Sequence, residues 1–289
     1  MNALLQEALQ AFGLIRAEFI QQHENAVYRA DEKYLLRIHK SAAGLHADHN
    51  PAPRQAELAL LTHLARAGMN VQQPIAEVTL SDGTLATLLT WLEGRMLTND
   101  DLTHANCRDL GRMVAHLHHA AAGFNHPGMR RYDAAFYLRI ANELDGILDH
   151  RHIPRAACEA VARIFGQEGT IAIHADLSPS NILLTPTGLG PIDFSMCGLG
   201  HPMLDLGILI ASLSTPVQMK TVCEGYGAIS QPKLEAGFAA GLLGCFALHP
   251  NWPKEPWFRD RIDRWERQIL CPVAEGRPIF HHDMTFINT

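Results

Sequence analysis

Three polar side chains near the middle of the 289-residue sequence stand at the edges of short apolar runs. Asp176 and Asn181 lie five residues apart in a turn that contains a Ser-Pro pair, and Asp193 ends the next apolar run. Phosphoryl transfer requires a carboxylate that accepts a proton, and it requires amide and carboxylate oxygens that bind a hard cation. Taken singly, each residue could equally be a turn or loop residue, because Asp and Asn favour turns.

The spacing of these residues matches a kinase pattern, H-x-D-x-x-x-x-N followed by an Asp-Phe pair. Here the pattern is formed by His174, Asp176 and Asn181, and then by Asp193 and Phe194. Over roughly residues 20 to 250 the chain resembles the aminoglycoside phosphotransferase superfamily. That group includes choline and homoserine kinases and is similar to the protein kinases in fold.

The resemblance implies a role for each residue of the central motif. Asp176 matches the catalytic aspartate, and Asn181 and Asp193 match the ligands of Mg²⁺. His174 matches a residue that shapes the catalytic loop without reacting. Asp205 matches the aspartate that braces this loop.

The phosphates of ATP need a cation from the first part of the chain. By the same resemblance, Arg37 stands where the family usually has a lysine on the phosphates, and Glu57 matches the acid that anchors it. A cation aimed at phosphate needs a carboxylate to hold it in place. Arginine can bind two oxygens but is bulkier than lysine, and Glu57 could also be a solvated helix residue.

The remaining nucleotide contacts are expected in a turn and at the lobe boundary. The turn at residues 23–28 contains no glycine, so Asn25 is the candidate for covering the phosphates with its backbone. Thr90 and Leu92, in the segment that joins the two lobes, would present backbone groups to adenine. The alternative is that this segment is only the end of a strand that continues into a linker and makes no contact with adenine.

The elements that carry these residues fall into two groups. An N-terminal helix over 3–12 is followed by strands over 26–28, 34–38, 76–80 and 84–91 and a helix over 54–66, which predicts a small antiparallel sheet with one helix on it. Helical patterns then cover about 103–122, 133–148, 154–165, 201–213, 217–226, 231–247 and 256–270, with strands and turns over 171–194 and a weakly patterned, partly mobile tail from 276. The predicted fold is α+β, a protein-kinase-like two-lobe fold. Its nucleotide-binding lobe spans residues 1–91, its helical lobe 92–289 and its hinge about 90–95.

Charge and composition limit the classes of partner, compartment and metal that are expected. The net charge of −6 without a basic patch argues against nucleic acid, and the absence of a long apolar run argues against a membrane span. The start of the sequence has no basic leader, so we expect a cytoplasmic protein. No HExxH motif accompanies the 17 histidines, so zinc is not expected. The dispersed cysteines predict buried thiols rather than disulfides: 107, 158, 197, 223, 245 and 271.

These features predict an ATP- and Mg²⁺-dependent phosphotransferase whose acceptor is the hydroxyl of an aminoglycoside-, choline- or homoserine-like small molecule. A protein Ser/Thr kinase is an alternative, although no Ala-Pro-Glu element or extended activation segment follows Phe194. A nucleotide-binding regulatory pseudokinase without turnover is another, supported by Arg37 and the glycine-poor turn. The oligomeric state stays open.

The acceptor itself is left open by the sequence. Acidic and aromatic residues on two helical segments would suit an amine, but they can equally be surface charges and core aromatics. These candidates are Asp133, Tyr137, Glu143, Trp252, Trp257, Asp260, Asp263 and Trp265.

Overall fold

The computed structural model describes residues 3–22, 25–39, 52–148, 152–166, 170–249 and 251–287. Its helices are α1 (Ala3–Phe12), α2 (Ala52–Arg66), α3 (His104–Ala120), α4 (Ala134–Ile147), α5 (His152–Phe165), α6 (Met203–Ala211), α7 (Pro216–Tyr226), α8 (Gln231–Leu248), α9 (Pro256–Trp265) and α10 (Cys271–Ala274). Its strands are β1 (Ala17–Gln22), β2 (Asn25–Ala30), β3 (Tyr34–His39), β4 (Pro74–Thr79), β5 (Leu85–Thr90), β6 (Arg95–Met96), β7 (Arg130–Tyr132), β8 (Ile171–Ile173), β9 (Ile182–Thr185), β10 (Gly188–Pro191) and β11 (Gly198–Gly200). The predicted α+β architecture is confirmed.

The N-terminal sheet is antiparallel throughout and has the strand order β1-β2-β3-β5-β4. Both predicted hairpins form around left-handed turn residues, with φ of 45° at Asp31, 61° at Glu32 and 86° at Gly83. The edge strand β1 was not predicted from the sequence. Its side chains are almost all exposed, so it lacks the alternation of buried and exposed residues that marks a strand.

The central strand β3 separates two cores because its side chains alternate between the faces of the sheet. Leu36 and Ile38 pack in a small core with α1, whereas Leu35 packs with α2 in a large core that continues into the helical lobe. Arg37 shares the face of Leu35, so it points toward α2 and the helical lobe rather than toward α1. The predicted lobe boundary at residues 90–95 falls between β5 and β6 and stays a prediction.

Two helix pairs of the second lobe are in backbone contact at glycines. A Cβ atom on Gly207 of α6 would lie 2.2 Å from the backbone carbon of Gly237 in α8. A Cβ atom on Gly111 of α3 would lie 2.0 Å from the carbonyl oxygen of Val222 in α7. Only glycine allows helices to approach this closely, and the α6–α8 contact fixes the helix that carries Asp205.

Two three-stranded sheets lie beside these helices, with the strand orders β10-β9-β6 and β7-β11-β8. The C-terminal segment is partly packed on the helical lobe. The segment predicted to be partly mobile contains packed residues, since Ile279 and Phe280 are 0% and 2% exposed and Phe280 pairs with Phe286 in an isolated bridge, and its mobility stays a prediction. Within the described ranges, none of the helices combines the length and apolar composition needed to cross a membrane.

Candidate active site

Asp205 lies at the base of the loop that follows β8. Its fully buried carboxylate accepts hydrogen bonds from the backbone N–H groups of His174 (2.9 Å) and Ala175 (2.6 Å) and lies 3.1 Å from Nε2 of His118. Burial by itself raises the pKa of Asp205, but the hydrogen bond and charge of His118 and the contacts with His174 outweigh it, so that the pKa is lowered. A charged Asp205 therefore holds the loop at its first two residues.

Ala175 adopts a left-handed backbone with φ of 64°, which is unfavourable for a residue with a Cβ atom. The hydrogen bond from its N–H to Asp205 helps to hold this conformation. His174 fixes the same loop from the other side, because its Nε2 lies 2.9 Å from the carbonyl oxygen of Ile192 and its ring packs 4.4 Å from that of Phe194. With His174 and Ala175 fixed in this way, Asp176, which follows them, lies at the cleft between the lobes.

Asp176 is joined to Asn181 across the turn. The Asn181 amide donates two hydrogen bonds of 2.8 Å, one to the backbone carbonyl and one to Oδ2 of Asp176. The Ile192 N–H donates to the carbonyl of Asn181 at 2.9 Å, which places Asn181 beside the segment that carries Asp193. Because the amide nitrogen is used for Asp176, the side-chain oxygen of Asn181 is the atom left to bind a cation.

The pKa of Asp176 is raised, although its side chain faces the open cleft. Loss of hydration at the cleft floor is the largest cause, and the negative charges of Asp193 and Asp205 add to it. The charge of His174 and the hydrogen bond from Asn181 act in the opposite direction. A raised pKa makes the carboxylate a better proton acceptor at neutral pH than an ordinary aspartate.

Arg37 and Glu57 form a buried ion pair between β3 and α2. The distance from Nη1 to Oε1 is 2.7 Å, and the two residues are only 5% and 3% exposed. Burial lowers the pKa of Arg37, but the charges of Glu57 and Asp193 outweigh it and raise the pKa. The charge of Asp193 also raises the pKa of Asp176, so its carboxylate lies near both the Arg37 cation and the Asp176 carboxylate.

Two cavities among the described residues meet at Asp176. The larger, of about 650 Å³, lies between the lobes and is lined by Asn25, Arg37, Leu92, Asp176 and Asp193 together with residues of β1 and α8. The smaller, of about 390 Å³, lies within the helical lobe beside α4. Both are lined by Ala175, Asp176, Met196, Cys245, Ala247 and Leu248.

Some predicted residues do not line the larger cavity. Thr90 is paired with Gln73 instead, since its N–H donates to the Gln73 carbonyl and its hydroxyl accepts from the Gln73 N–H, both at 2.8 Å. Glu57 reaches the cavity only through Arg37. Residues 23–24 of the predicted phosphate turn lie outside the described residues.

The larger cavity is also lined by side chains to which the sequence analysis assigned no contact. Trp91 is one, and its indole Nε1 is buried without a hydrogen-bond partner among the described residues. Gln72 and Met96 are others. An indole or an amide next to a predicted hinge was the available signal, but side-chain identity alone does not distinguish a lining residue from a linker residue.

The acceptor candidates are only partly brought together. Asp133 and Tyr137 line the smaller cavity, but Glu143 does not. The three tryptophans of the C-terminal segment line a different cavity of about 670 Å³, together with Arg261 and Arg264. The acidic and aromatic residues considered for an amine therefore do not share one cavity. The expectation of buried cysteines is wrong for Cys245, which is exposed where the cavities meet.

The donor atoms of the cleft fit Mg²⁺ better than a metal held entirely by protein. Within the described part of the chain, no group of three or more His, Cys, Asp or Glu residues is placed to hold a metal. Asp193 lines the larger cavity and offers one carboxylate, whereas Asn181 does not line it and offers one amide oxygen beside Asp176. Mg²⁺ is commonly bound by one or two such oxygens while phosphates and water complete its coordination.

Comparison with known proteins identifies the family of this chain and the relatives that it resembles. Residues 17–242 match the model of a family described as "Phosphotransferase enzyme family". A homoserine kinase of Sinorhizobium medicae (strain WSM419) is 28% identical over 222 residues, covering 68% of this chain and 61% of the relative. A homoserine kinase of Methylocella silvestris is 30% identical over 167 residues, covering 53% and 51%. The chain thus spans between about half and three fifths of the length of these relatives.

Solved structures share the fold at low sequence identity. An amicoumacin kinase in complex with AMP-PNP and Ca²⁺ has a TM-score of 0.72 at 14% identity, with 94% of each chain covered. A microcompartment-associated aminopropanol kinase has a TM-score of 0.66 at 20% identity, with 94% of this chain and 96% of the other covered. The predicted superfamily and the predicted kinase-like two-lobe fold are both confirmed.

Proposed function

The chain belongs to the phosphotransferase enzyme family, and on this premise we propose that it transfers the γ-phosphate of ATP to a hydroxyl group of a small molecule. The observation that carries the proposal is the position of Asp176 at the junction of two cavities, one suited to a nucleotide and the other to an acceptor. A residue at this junction can reach both reactants. We place the protein in the cytoplasm, as its composition suggests.

The predicted site residues have separate parts in the proposed reaction. Arg37, held by Glu57, binds phosphate oxygens, and Asp176 accepts the hydroxyl proton as the acceptor oxygen attacks the γ-phosphorus. The bond from that phosphorus to the bridging oxygen breaks, and ADP leaves. Asn181 and Asp193 would hold Mg²⁺, which when bound neutralises charge on the phosphates.

The two alternative functions have less support. After Asp193 the chain passes through a short 3₁₀ turn and β11 and enters α6 at Met203, which leaves little chain to form a platform for a peptide substrate. A binding protein without turnover would not need Asp176 hydrogen-bonded to Asn181 beside an open acceptor cavity. Both alternatives remain outcomes of the experiment below.

The test is ADP release from ATP and Mg²⁺ with aminoglycosides, choline, homoserine, sugars, hydroxy acids and a peptide library. We expect acceptor-dependent ADP release by the wild-type chain and loss of at least about 100-fold in kcat for Asp176→Asn, with ATP affinity retained. Release with peptides alone would favour a protein kinase. ATP binding without turnover on any acceptor would contradict the proposal.

A further inference from the structure

A hydrogen-bonded network of three side chains connects the end of α7 to the loop that carries Asp176. The hydroxyl oxygen of Tyr226 lies 3.0 Å from Nδ1 of His118, and Nε2 of His118 lies 3.1 Å from Oδ2 of Asp205. The three residues belong to three different helices, α7, α3 and α6. Asp205 in turn accepts the backbone N–H groups of the two loop residues that precede Asp176. The network therefore reaches Asp176 through a single carboxylate.

The charge of Asp205 determines where the protons of this network lie. Its pKa is lowered, so at neutral pH the carboxylate is ionised and can only accept hydrogen bonds. Nε2 of His118 must therefore carry a proton and donate it to Asp205. In a neutral ring Nδ1 accepts a hydrogen bond from the Tyr226 hydroxyl, whereas in a cationic ring Nδ1 donates one to the same oxygen. Because a hydroxyl can donate or accept, Tyr226 pairs with Nδ1 in both charge states.

The His118 ring is held in a buried position. His118 is only 6% exposed, and its ring meets the ring of Tyr226 edge on, with centroids 5.6 Å apart and an interplanar angle of 73°. Loss of the Tyr226 hydroxyl would leave Nδ1 buried without this partner, which is unfavourable for a polar atom. The ring could then gain a partner for Nδ1 only by turning, and a turned ring would not aim Nε2 at Asp205.

Close packing of α3 on α7 places the Tyr226 hydroxyl next to His118. A Cβ atom on Gly111 of α3 would lie 2.6 Å from the backbone nitrogen of Tyr226, and a Cβ atom on Gly225 of α7 would lie 2.1 Å from the carbonyl oxygen of Arg108. Glycine on both helices thus allows this approach. His118 lies seven residues after Gly111, on the same face of α3, and helical side chains lean toward the N-terminus of their helix. The His118 ring therefore leans back toward Tyr226.

We propose that Tyr226 is a positioning residue for phosphoryl transfer, acting through His118 and Asp205. The hydroxyl orients the His118 ring, and the ring keeps Asp205 on the loop that presents Asp176. The inference rests on the proposed function, since it assigns the proton transfer to Asp176. Tyr226 lines neither of the cavities that meet at Asp176. Its replacement should therefore slow the chemical step without weakening the binding of either reactant.

A control on the same helix separates this role from simple packing of α7 on α3. Thr221 is 4% exposed, and its hydroxyl donates to the carbonyl oxygen of Val217 at 2.8 Å, within α7. Tyr226→Phe and Thr221→Val each remove one hydroxyl from α7, but only the first removes a partner of His118. The comparison therefore distinguishes an effect of the network from a general loosening of the helix.

The first measurement is ADP release with the best acceptor, at varied concentrations of ATP and acceptor. A neutral hydrogen bond corresponds to about 2- to 10-fold in a rate or equilibrium constant. We therefore expect Tyr226→Phe to lower kcat by about 3- to 10-fold, with KM for ATP and for the acceptor within about twofold of the wild type. Thr221→Val should leave kcat within about twofold. A rise in KM without a loss of kcat would overturn the inference.

A double-mutant cycle tests whether Tyr226 acts through His118. Glutamine at this position keeps an amide N–H that can donate to Asp205 but has no ring to orient. We expect His118→Gln to lower kcat, and the addition of Tyr226→Phe to change kcat by less than about twofold in that background. If the two replacements instead lowered kcat by independent factors, Tyr226 would not act through His118 and the inference would be wrong.

Hydrogen exchange reports on the loop without the need for turnover. Peptides that cover residues 171–178 contain the N–H groups of His174 and Ala175, which Asp205 accepts. In Tyr226→Phe we expect these N–H groups to exchange about 3- to 10-fold faster than in the wild type, while peptides of α4 are unchanged. Thr221→Val should leave the exchange of the loop at the wild-type rate.

The two kinds of measurement distinguish this inference from the proposed function. Faster exchange of the loop in Tyr226→Phe, without ADP release by the wild type on any acceptor, supports the network and contradicts the proposed function. Wild-type exchange of the loop in Tyr226→Phe overturns the inference whatever the rate of turnover. So does an equal loss of kcat in Thr221→Val, and both of these results leave the proposed function standing if the wild type turns over. Wild-type loop exchange together with absence of turnover overturns both.

Discussion

Replacement of Glu57 tests whether the ion pair with Arg37 positions the phosphate-binding cation. The variant Glu57→Gln keeps the size of the side chain and one acceptor oxygen but removes the negative charge. Arg37 is 5% exposed, so without Glu57 its charge would be buried, with Asp193 as the remaining described residue whose charge raises its pKa. We expect both the stability of the chain and its affinity for ATP to fall.

The magnitude follows from the geometry of the pair. The 2.7 Å contact puts the two charge centres roughly 4 Å apart, which corresponds to about 4 kcal/mol of attraction at an effective dielectric constant of about 20. Removal of one partner of a buried pair typically costs about 3 to 5 kcal/mol. Because glutamine keeps a hydrogen bond, we expect about 2 to 3 kcal/mol less free energy of unfolding.

A double replacement separates the two effects. In Arg37→Met with Glu57→Leu no charge is buried alone, so the free energy of unfolding should recover to within about 1 kcal/mol of the wild type. The affinity for ATP should not recover, because the cation itself is missing.

The assays are urea unfolding for stability and titration of ATP for affinity. Glu224→Gln is the matched control, since Glu224 pairs with Arg108 at 3.1 Å while both side chains are more than 40% exposed. Exposed pairs contribute at most about 1 kcal/mol, so this control should change little. Glu57→Gln with wild-type stability and wild-type ATP affinity would refute the assigned role of the pair, as would a double variant no more stable than Glu57→Gln.

Four further predictions concern the catalytic loop. Folding disfavours the charged form of Asp176, whose pKa is raised, so Asp176→Asn should not lower the melting temperature at pH 7 even though it abolishes turnover. For the same reason kcat/KM should fall as the pH decreases through a value above the ordinary aspartate pKa of about 4; a pH–rate profile flat down to pH 4 would contradict this. Because the pKa of Asp205 is lowered, its contribution to the free energy of unfolding is present above the ordinary aspartate pKa and is lost as the pH falls through the lowered pKa. Asp205→Asn should therefore lower the free energy of unfolding by about 2 to 3 kcal/mol at pH 7, measured by urea unfolding. Ala175→Val should lower the free energy of unfolding by about 1 to 3 kcal/mol, because a β-branched residue is strained at φ of 64°, whereas Ala175→Gly should change it by less than about 1 kcal/mol.

The sequence by itself determined the local parts of the site. Spacing and turn residues place Asp176 and Asn181 in one loop, and the two-residue period of a strand puts Arg37 on the same face as Leu35. These features depend on short-range sterics and hydrogen bonding, which neighbouring residues encode. The helices and both hairpins of the first lobe were predictable for the same reason.

Only the tertiary structure decided which distant groups meet. Asp205 binds backbone N–H groups 30 and 31 residues earlier in the chain, and Asp193 acts on both Arg37 and Asp176. The exposure of Cys245 likewise follows from how strands and helices pack. Local periodicity carries no information about which faces come together, because burial of one side chain depends on every element packed around it. The sequence therefore specified the polar residues of the candidate site, whereas packing specified which cavities they line.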